Sequence, residues 1–156
     1  MKEPVNMVKF AATLVKRPKG RACIVLTRDC QGQKAWAKEL AAQSGAQHID
    51  LLDHFVGDTD LAARISEFSV DHLFDFLRGV TASSLAIVTG TEFLKATWSA
   101  QRSAEEDFAR HVETWESRPA LLFLVQHTNA LADYKFSSRL QGQTFVVAQK
   151  DTLALT

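Results

Sequence analysis

Short, unbroken apolar runs alternate along this chain with longer segments in which apolar residues recur every three or four positions. The runs are short and rich in β-formers, and they lack the polar alternation of half-exposed strands. They therefore predict strands of a parallel sheet that is buried on both faces. The five predicted strands are Ala22–Thr27, His48–Leu52, Leu85–Val88, Ala120–Val125 and Thr144–Ala148.

The segments between these runs have the spacing of amphipathic helices. In one of them, Val70–Arg78, Ser69 provides a good N-cap and Gly79 a good stop. The predicted helices are Pro4–Lys16, Lys34–Gln43, Asp60–Phe68, Val70–Arg78 and Glu92–Glu116, the last one broken near Ser103.

The order of elements, α-β-α-β-α-α-β-α-β-(α)-β, is typical of an α/β fold. It predicts a mostly parallel five-stranded sheet with helices on both faces. We interpret residues 1–156 as a single α/β domain, in which 1–19 form an N-terminal helix and linker and 20–150 form the core.

Composition narrows the class of protein only slightly. The chain has 156 residues, of which 46% are hydrophobic and 23% charged, and this excludes a disordered protein. Eighteen basic and eighteen acidic residues cancel, which argues against a general nucleic-acid binder but leaves room for a local basic patch. No apolar run approaches the ~20 residues of a membrane span, and no leader pattern is present, so we expect a cytoplasmic protein without membrane contact.

Cysteine and histidine spacing gives no metal or redox motif. Six residues separate Cys23 from Cys30, which fits neither a redox pair nor a zinc knuckle. The five histidines form no HxxxH or HxH pair. We therefore expect reduced thiols and no metal site.

The loop after the first strand has the layout of a phosphate-binding loop without its motif. A working loop has the pattern GxxxxGK[ST], whose lysine and hydroxyl hold the γ-phosphate and magnesium. If Gly32 is the second glycine, Thr27 replaces the first, Gln33 the lysine and Lys34 the hydroxyl residue. The alternative interpretation is an ordinary β–α loop in which Lys34 opens a helix.

The third and fourth strands lack the matching acidic residue. Thr89 and Gly90 stand where a magnesium-binding aspartate would be, and Glu92 is the first carboxylate, at the start of the next helix. After the fourth strand, His127 and Asn129 are polar enough to sense a γ-phosphate, although capping of the loop is their commoner role.

The order of elements resembles the ATPase core of AAA-type P-loop proteins. The resemblance rests on the N-terminal helix, the first strand, the third strand Leu85–Val88, which no acidic residue ends, and the fourth strand, which ends in Gln126. In length and layout the chain resembles the small P-loop proteins of bacterial BREX phage-defence systems. The resemblance covers roughly residues 20–150 at the level of element order. It implies a P-loop-NTPase-like sheet, for which a flavodoxin- or Rossmann-like three-layer sandwich is the alternative.

The resemblance implies a degenerate, non-catalytic P-loop subunit that acts in a larger assembly through protein partners or copies of itself. This interpretation expects the third strand beside the first, no catalytic residue and no cofactor, with binding of ATP and magnesium left open. Its vestigial nucleotide-binding residues are Gly32, Lys34, Glu92 and Asn129.

Two other classes of function remain open. A small α/β enzyme would use loop carboxylates at the strand ends, here Asp29, Asp50 and Asp53, and would show a pocket in which carboxylates of perturbed pKa converge. A nucleic-acid-facing adaptor, reached only through a complex, would contact a partner or phosphate through basic residues of the C-terminal third, with Tyr134 or Phe136 for stacking. Those basic residues are Arg118, Lys135 and Arg139.

Overall fold

Five strands form one sheet in which every described pairing is parallel. The structure is a computed structural model that describes residues 4–29, 31–98, 104–135 and 144–155. The strand order is β2-β3-β4-β1-β5. The strands are β1 (Ala22–Thr27), β2 (Gln47–Asp50), β3 (Leu85–Thr89), β4 (Ala120–Gln126) and β5 (Val146–Ala148).

The helices connect these strands and cover the sheet. None of those in the described residues is long and apolar enough to cross a membrane. The helices are α1 (Met7–Lys16), α2 (Gln33–Ser44), α3 (Leu51–Gly57), α4 (Thr59–Ala63), α5 (Val70–Leu77), α6 (Thr91–Thr97), α7 (Ala104–Thr114) and α8 (Asn129–Ala132), with 3₁₀ turns at Ile65–Glu67 and Gln149–Asp151.

All five predicted strands are confirmed, and the main error lies at the second. β2 ends at Asp50, and the two leucines that follow it begin α3 instead of continuing the strand. The Asp50 carboxylate accepts a hydrogen bond from the Asp53 amide at 3.0 Å, which caps α3 and turns the chain out of the sheet. The predicted cap of α5 by Ser69 is confirmed, since its hydroxyl accepts from the His72 amide.

Alternate residues of each central strand enter two separate cores. Ile24 of β1 and Phe123 of β4 pack against α3, α5, α6, α7 and α8. Cys23 of β1 and Leu122 of β4 pack against α1 and α2. The period of two along an extended strand explains this division, and it confirms helices on both faces of the sheet. Helix α1 belongs to the second core, because Met7, Ala11 and Leu14 are buried there.

The strand order corrects one expectation about neighbours. β3 does not lie beside β1, because β4 is inserted between them and pairs with both. The order also differs from the flavodoxin and Rossmann orders, in which β2 lies beside β1. Here β3 and β4 separate these two strands, so the flavodoxin- or Rossmann-like alternative is not supported.

The chain leaves β1 and β4 toward opposite faces of the sheet. α2, which follows β1, packs in the core of α1, whereas α8, which follows β4, packs on the other face. Adjacent parallel strands whose connections diverge in this way leave a crevice at their carboxyl ends, and ligands of open α/β sheets bind there. The candidate site is therefore expected beside Thr27 and Gln126, the last residues of β1 and β4.

Candidate functional site

Gln33 begins α2 at the carboxyl end of the sheet, directly after the loop that leaves β1. Gly32 precedes it with φ of 82°, a left-handed conformation that suits glycine and turns the loop into α2. The Gln33 side chain is buried, and its Nε2 donates to Thr27 Oγ1 at 2.7 Å and to Glu92 Oε1 at 3.2 Å. Its amide is therefore held by the end of β1 and by the first turn of α6.

Glu92 joins that contact to β4. It lies in the first turn of α6, and its Oε1 also accepts a hydrogen bond from the Gln126 backbone amide at 2.7 Å. The Thr91 hydroxyl donates to Glu92 Oε2 at 3.4 Å. The carboxylate thus ties the ends of β1, β3 and β4 together, and its near oxygen is already occupied by two donors.

Lys34 points away from Gln33 toward β2. Its Nζ lies 3.3 Å from Asp50 Oδ2 and 3.7 Å from Asp53 Oδ1. The charge of Asp50, followed by that of Asp53, raises the pKa of Lys34. The ammonium is half-exposed, and its charge is balanced by protein carboxylates on β2 and α3.

Asp50 is the most enclosed acid of the site. Its side chain is only 4% exposed, and its Oδ1 accepts from the Thr89 hydroxyl at 2.7 Å. Burial alone would raise the pKa of Asp50, but the hydrogen bonds from Thr89 and the Asp53 amide, together with Lys34, outweigh it and lower that pKa. An acid held ionised in this way is a poor general acid or base near neutral pH.

His48 extends this contact across the edge strand β2. Its Nε2 lies 2.8 Å from Thr89 Oγ1, whose only proton is donated to Asp50. His48 Nε2 must therefore carry a proton and donate to Thr89. Burial lowers the pKa of His48, the Asp50 charge opposes this effect, and the balance favours the neutral ring.

Gly90 lies where the loop after β3 passes close to Asp50 and to the start of α3. It has φ of 85°, and a Cβ at this position would lie 3.0 Å from the Leu52 amide nitrogen and 3.1 Å from Asp50 Oδ1. The loop after β3 can therefore approach the start of α3 only with glycine at this position. The site therefore consists of two hydrogen-bonded groups, which adjoin through the backbone between Gln33 and Lys34. We call the two groups together the closed network. One group is Gln33, Thr27 and Glu92, and the other is Lys34, Asp50, Thr89 and His48.

An open cleft of about 520 Å³ lies at the carboxyl ends of β1, β4 and β5. Leu26 and Ala148 contribute apolar surface to it, and Arg28, His127 and Lys150 contribute polar surface from three different connections. Thr27 lines this cleft and also belongs to the closed network. We call this feature the cationic cleft.

The structure brings three of the four predicted nucleotide-binding residues next to one another at the carboxyl edge of the sheet. Gly32, Lys34 and Glu92 all adjoin Gln33, although Lys34 pairs with Asp50 and not with Glu92. Asn129 is the exposed first residue of α8, and its backbone carbonyl accepts from the Asp133 amide at 2.9 Å. It therefore lies outside the closed network.

The predicted basic patch is spread over the molecule. Arg118 is exposed just before the amino end of β4, whereas Lys135 is exposed beyond α8, which follows the carboxyl end of that strand. Within the described part of the chain, no hydrogen bond or ion pair joins the two. Arg139 and Phe136 lie outside the described residues.

The candidate carboxylates for catalysis separate in the same way. Asp50 and Asp53 meet at Lys34, but Asp29 stands apart, where its Oδ1 accepts from the Gln31 amide at 3.0 Å. Cys23 is buried, which raises the pKa of its thiol to about 12, and Cys30 lies outside the described residues. Among the described residues there is no group of three or more His, Cys, Asp or Glu that could hold a metal ion.

Sequence reasoning missed the partners that close the site. It identified Gln33 only as the residue that replaces the lysine of the phosphate-loop motif. It did not predict the hydrogen bonds that join Thr89 to Asp50 and His48 to Thr89. Comparison with protein-family models gives no match, and comparison with curated proteins gives none either.

Proposed function

We propose that this chain is a non-catalytic α/β subunit of P-loop-like layout that acts through protein partners in a larger assembly. One observation carries the proposal. The side chain at the lysine position of the phosphate loop is Gln33, and its amide is held by Thr27 and Glu92. A neutral, internally bonded amide supplies no positive charge to a transferring phosphoryl group.

The residues around Gln33 support the same conclusion. The position of the magnesium-binding hydroxyl carries Lys34, whose ammonium is paired with Asp50 and Asp53. The position of the magnesium-binding acid carries Thr89, whose hydroxyl donates to Asp50. Phosphoryl transfer depends on positioning and charge stabilisation, and each group that would provide them is engaged within the protein.

The sheet supports the α/β part of the proposal. Its order places β4 between β1 and β3, against the expectation that β1 and β3 are neighbours. The P-loop-like part of the proposal therefore rests on the strand, loop and helix from β1 to α2 and not on the strand order. Strand order alone carries no catalytic function, and the site residues decide that question.

An exposed apolar face supports binding to protein. Leu52 and Val56 lie four residues apart on α3, with 44% and 78% of their surface exposed. Residues four apart share one face of a helix, so the two side chains form one apolar patch. Exposed apolar patches are common at protein interfaces. The resemblance to phage-defence proteins suggests where to look for the partner.

The test is release of phosphate from Mg-ATP by the purified full chain, with Glu92→Gln as the matched control. Glutamine keeps an oxygen that can accept from the Gln126 amide but removes the carboxylate charge that lies against Gln33. We expect the two proteins to release phosphate at the same background rate. Release by the wild-type chain that clearly exceeds that of Glu92→Gln would contradict the proposal.

A further inference from the structure

We propose that the cationic cleft binds the phosphate group of a small phosphorylated molecule, of the size of a mononucleotide. This inference goes beyond the proposed function, which assigns no ligand to the chain. It also places the phosphate at the start of the loop after β1, beside Arg28, and not at the far end of that loop, where Gln33 and Lys34 are engaged.

The position of the cleft is the first argument. It lies at the carboxyl ends of β1, β4 and β5, where Thr27, His127 and Ala148 line it. The connections of β1 and β4 leave toward opposite faces of the sheet and open a ligand crevice between those two strands. The cleft adjoins that crevice, because Thr27 and His127 line it from the ends of β1 and β4. Its volume of about 520 Å³ falls within the range of small-molecule pockets.

The charge of the cleft is the second argument. Its described lining includes Arg28 and Lys150 but no carboxylate. Within the residues that the structure describes, neither cation has an ion-pair partner. An arginine fork and a lysine ammonium suit the oxygens of a phosphate, and the His127 ring can add a further donor.

The remaining surface of the cleft suits an uncharged body attached to that phosphate. Leu26 and Ala148 supply apolar contacts beside the cations. A site with apolar walls and a few polar groups that fix orientation is typical of small-molecule binding. A nucleic-acid strand fits less well, because the chain has no net charge and the cationic groups lie in a local concavity.

The test is calorimetric titration of the full chain with adenosine monophosphate, inorganic phosphate and adenosine. We expect the monophosphate to bind, inorganic phosphate to compete with it and adenosine to bind far more weakly. Arg28→Gln and Lys150→Gln should each weaken binding of the monophosphate by about tenfold or more, because each removes a charged donor. Lys34→Gln is the matched control, and it should leave the affinity within about twofold.

Four results would overturn the inference. The first is equal affinity in Arg28→Gln and the wild-type chain, and the second is no binding of either phosphate compound. The third is binding of a single-stranded oligonucleotide that neither phosphate compound displaces. The fourth is loss of binding in Lys34→Gln alone, which would place the phosphate beside Gln33 and Lys34. Each result leaves the proposed function intact if hydrolysis is absent.

Discussion

The carboxyl edge of the sheet has two halves that use similar residues in opposite ways. Above β2, β3 and β4, the closed network pairs Lys34 with Asp50 and Gln33 with Glu92. Above β1 and β5, the cationic cleft leaves Arg28 and Lys150 without ion-pair partners among the described residues. Thr27 is the boundary between the two halves, because it belongs to both.

The difference shows how a protein can divide stability and binding between neighbouring sites. A buried polar group that has its partners within the chain supports the fold, and removing one partner leaves the others unpaired. A charged group without a partner adds little to the fold and keeps its capacity for a ligand. Substitutions in the closed network should therefore reduce stability, whereas those in the cationic cleft should reduce binding.

The largest loss of stability is expected for Asp50→Ala. This change removes the acceptor of the Thr89 hydroxyl and the cap of α3, and it leaves both donors without a partner. We expect the free energy of unfolding to fall by about 2–4 kcal/mol. Urea unfolding followed by circular dichroism measures the change.

Asp53→Ala is the matched control for that change. The side chain of Asp53 is 73% exposed, and its Oδ1 lies 3.7 Å from Lys34 Nζ. We expect a loss of less than about 0.5 kcal/mol. Equal losses for the two variants would show that Asp50 does not hold the closed network together.

A smaller loss is expected for Glu92→Ala. The variant leaves the Gln126 amide and the Gln33 side chain without their shared acceptor. We expect a decrease of about 1–2 kcal/mol. Glu92→Gln keeps an oxygen acceptor and should retain most of that stability. If the alanine and glutamine variants unfold at the same urea concentration, Glu92 does not support the fold through these hydrogen bonds.

The smallest effect is a dependence of stability on pH through His48. Its folded pKa is lowered by burial, below the value of about 6.5 for a free histidine. When the pH falls below about 6.5, the unfolded chain binds more protons than the folded chain does. The free energy of unfolding therefore decreases as the pH falls toward the pKa of His48 in the folded chain. Above about pH 6.5, His48 contributes its full stability.

His48→Gln isolates this contribution from the other histidines. The glutamine amide can still donate to Thr89 but does not titrate. Urea unfolding between about pH 7.5 and 5.5 should therefore give a shallower slope for the variant than for the wild-type chain. Parallel slopes would mean that His48 titrates alike in the folded and unfolded chains.

The sequence predicts most of the fold because the strands are unambiguous apolar runs. β1 and β4 begin where predicted, since no polar residue interrupts Ala22–Leu26 or Ala120–Val125. α3 was missed because Leu51 and Leu52 continue the apolar run of β2, and only the Asp50 cap shows that the chain turns there. Strand order depends on long-range pairing, so the place of β4 between β1 and β3 could not be derived from local patterns.

The candidate site was predictable only in part. The layout of strand, loop and helix predicted that Gly32, Lys34 and Glu92 lie at one edge of the sheet, and they do. The ion-pair partners were not predictable, because Lys34 pairs with Asp50, which lies on β2 and is distant from Lys34 in the sequence. The cationic cleft was missed for the same reason, since Arg28, His127 and Lys150 come from three separate loops.

The most direct test of this division is a nitrogen-15 NMR titration of the full chain with adenosine monophosphate. We expect the first and largest amide shifts at Arg28, His127 and Lys150, the residues of the cationic cleft, and small shifts at Gln33 and Lys34. The largest shifts at Gly32, Gln33 and Lys34 would contradict the account, because they would show that the closed network opens to hold phosphate.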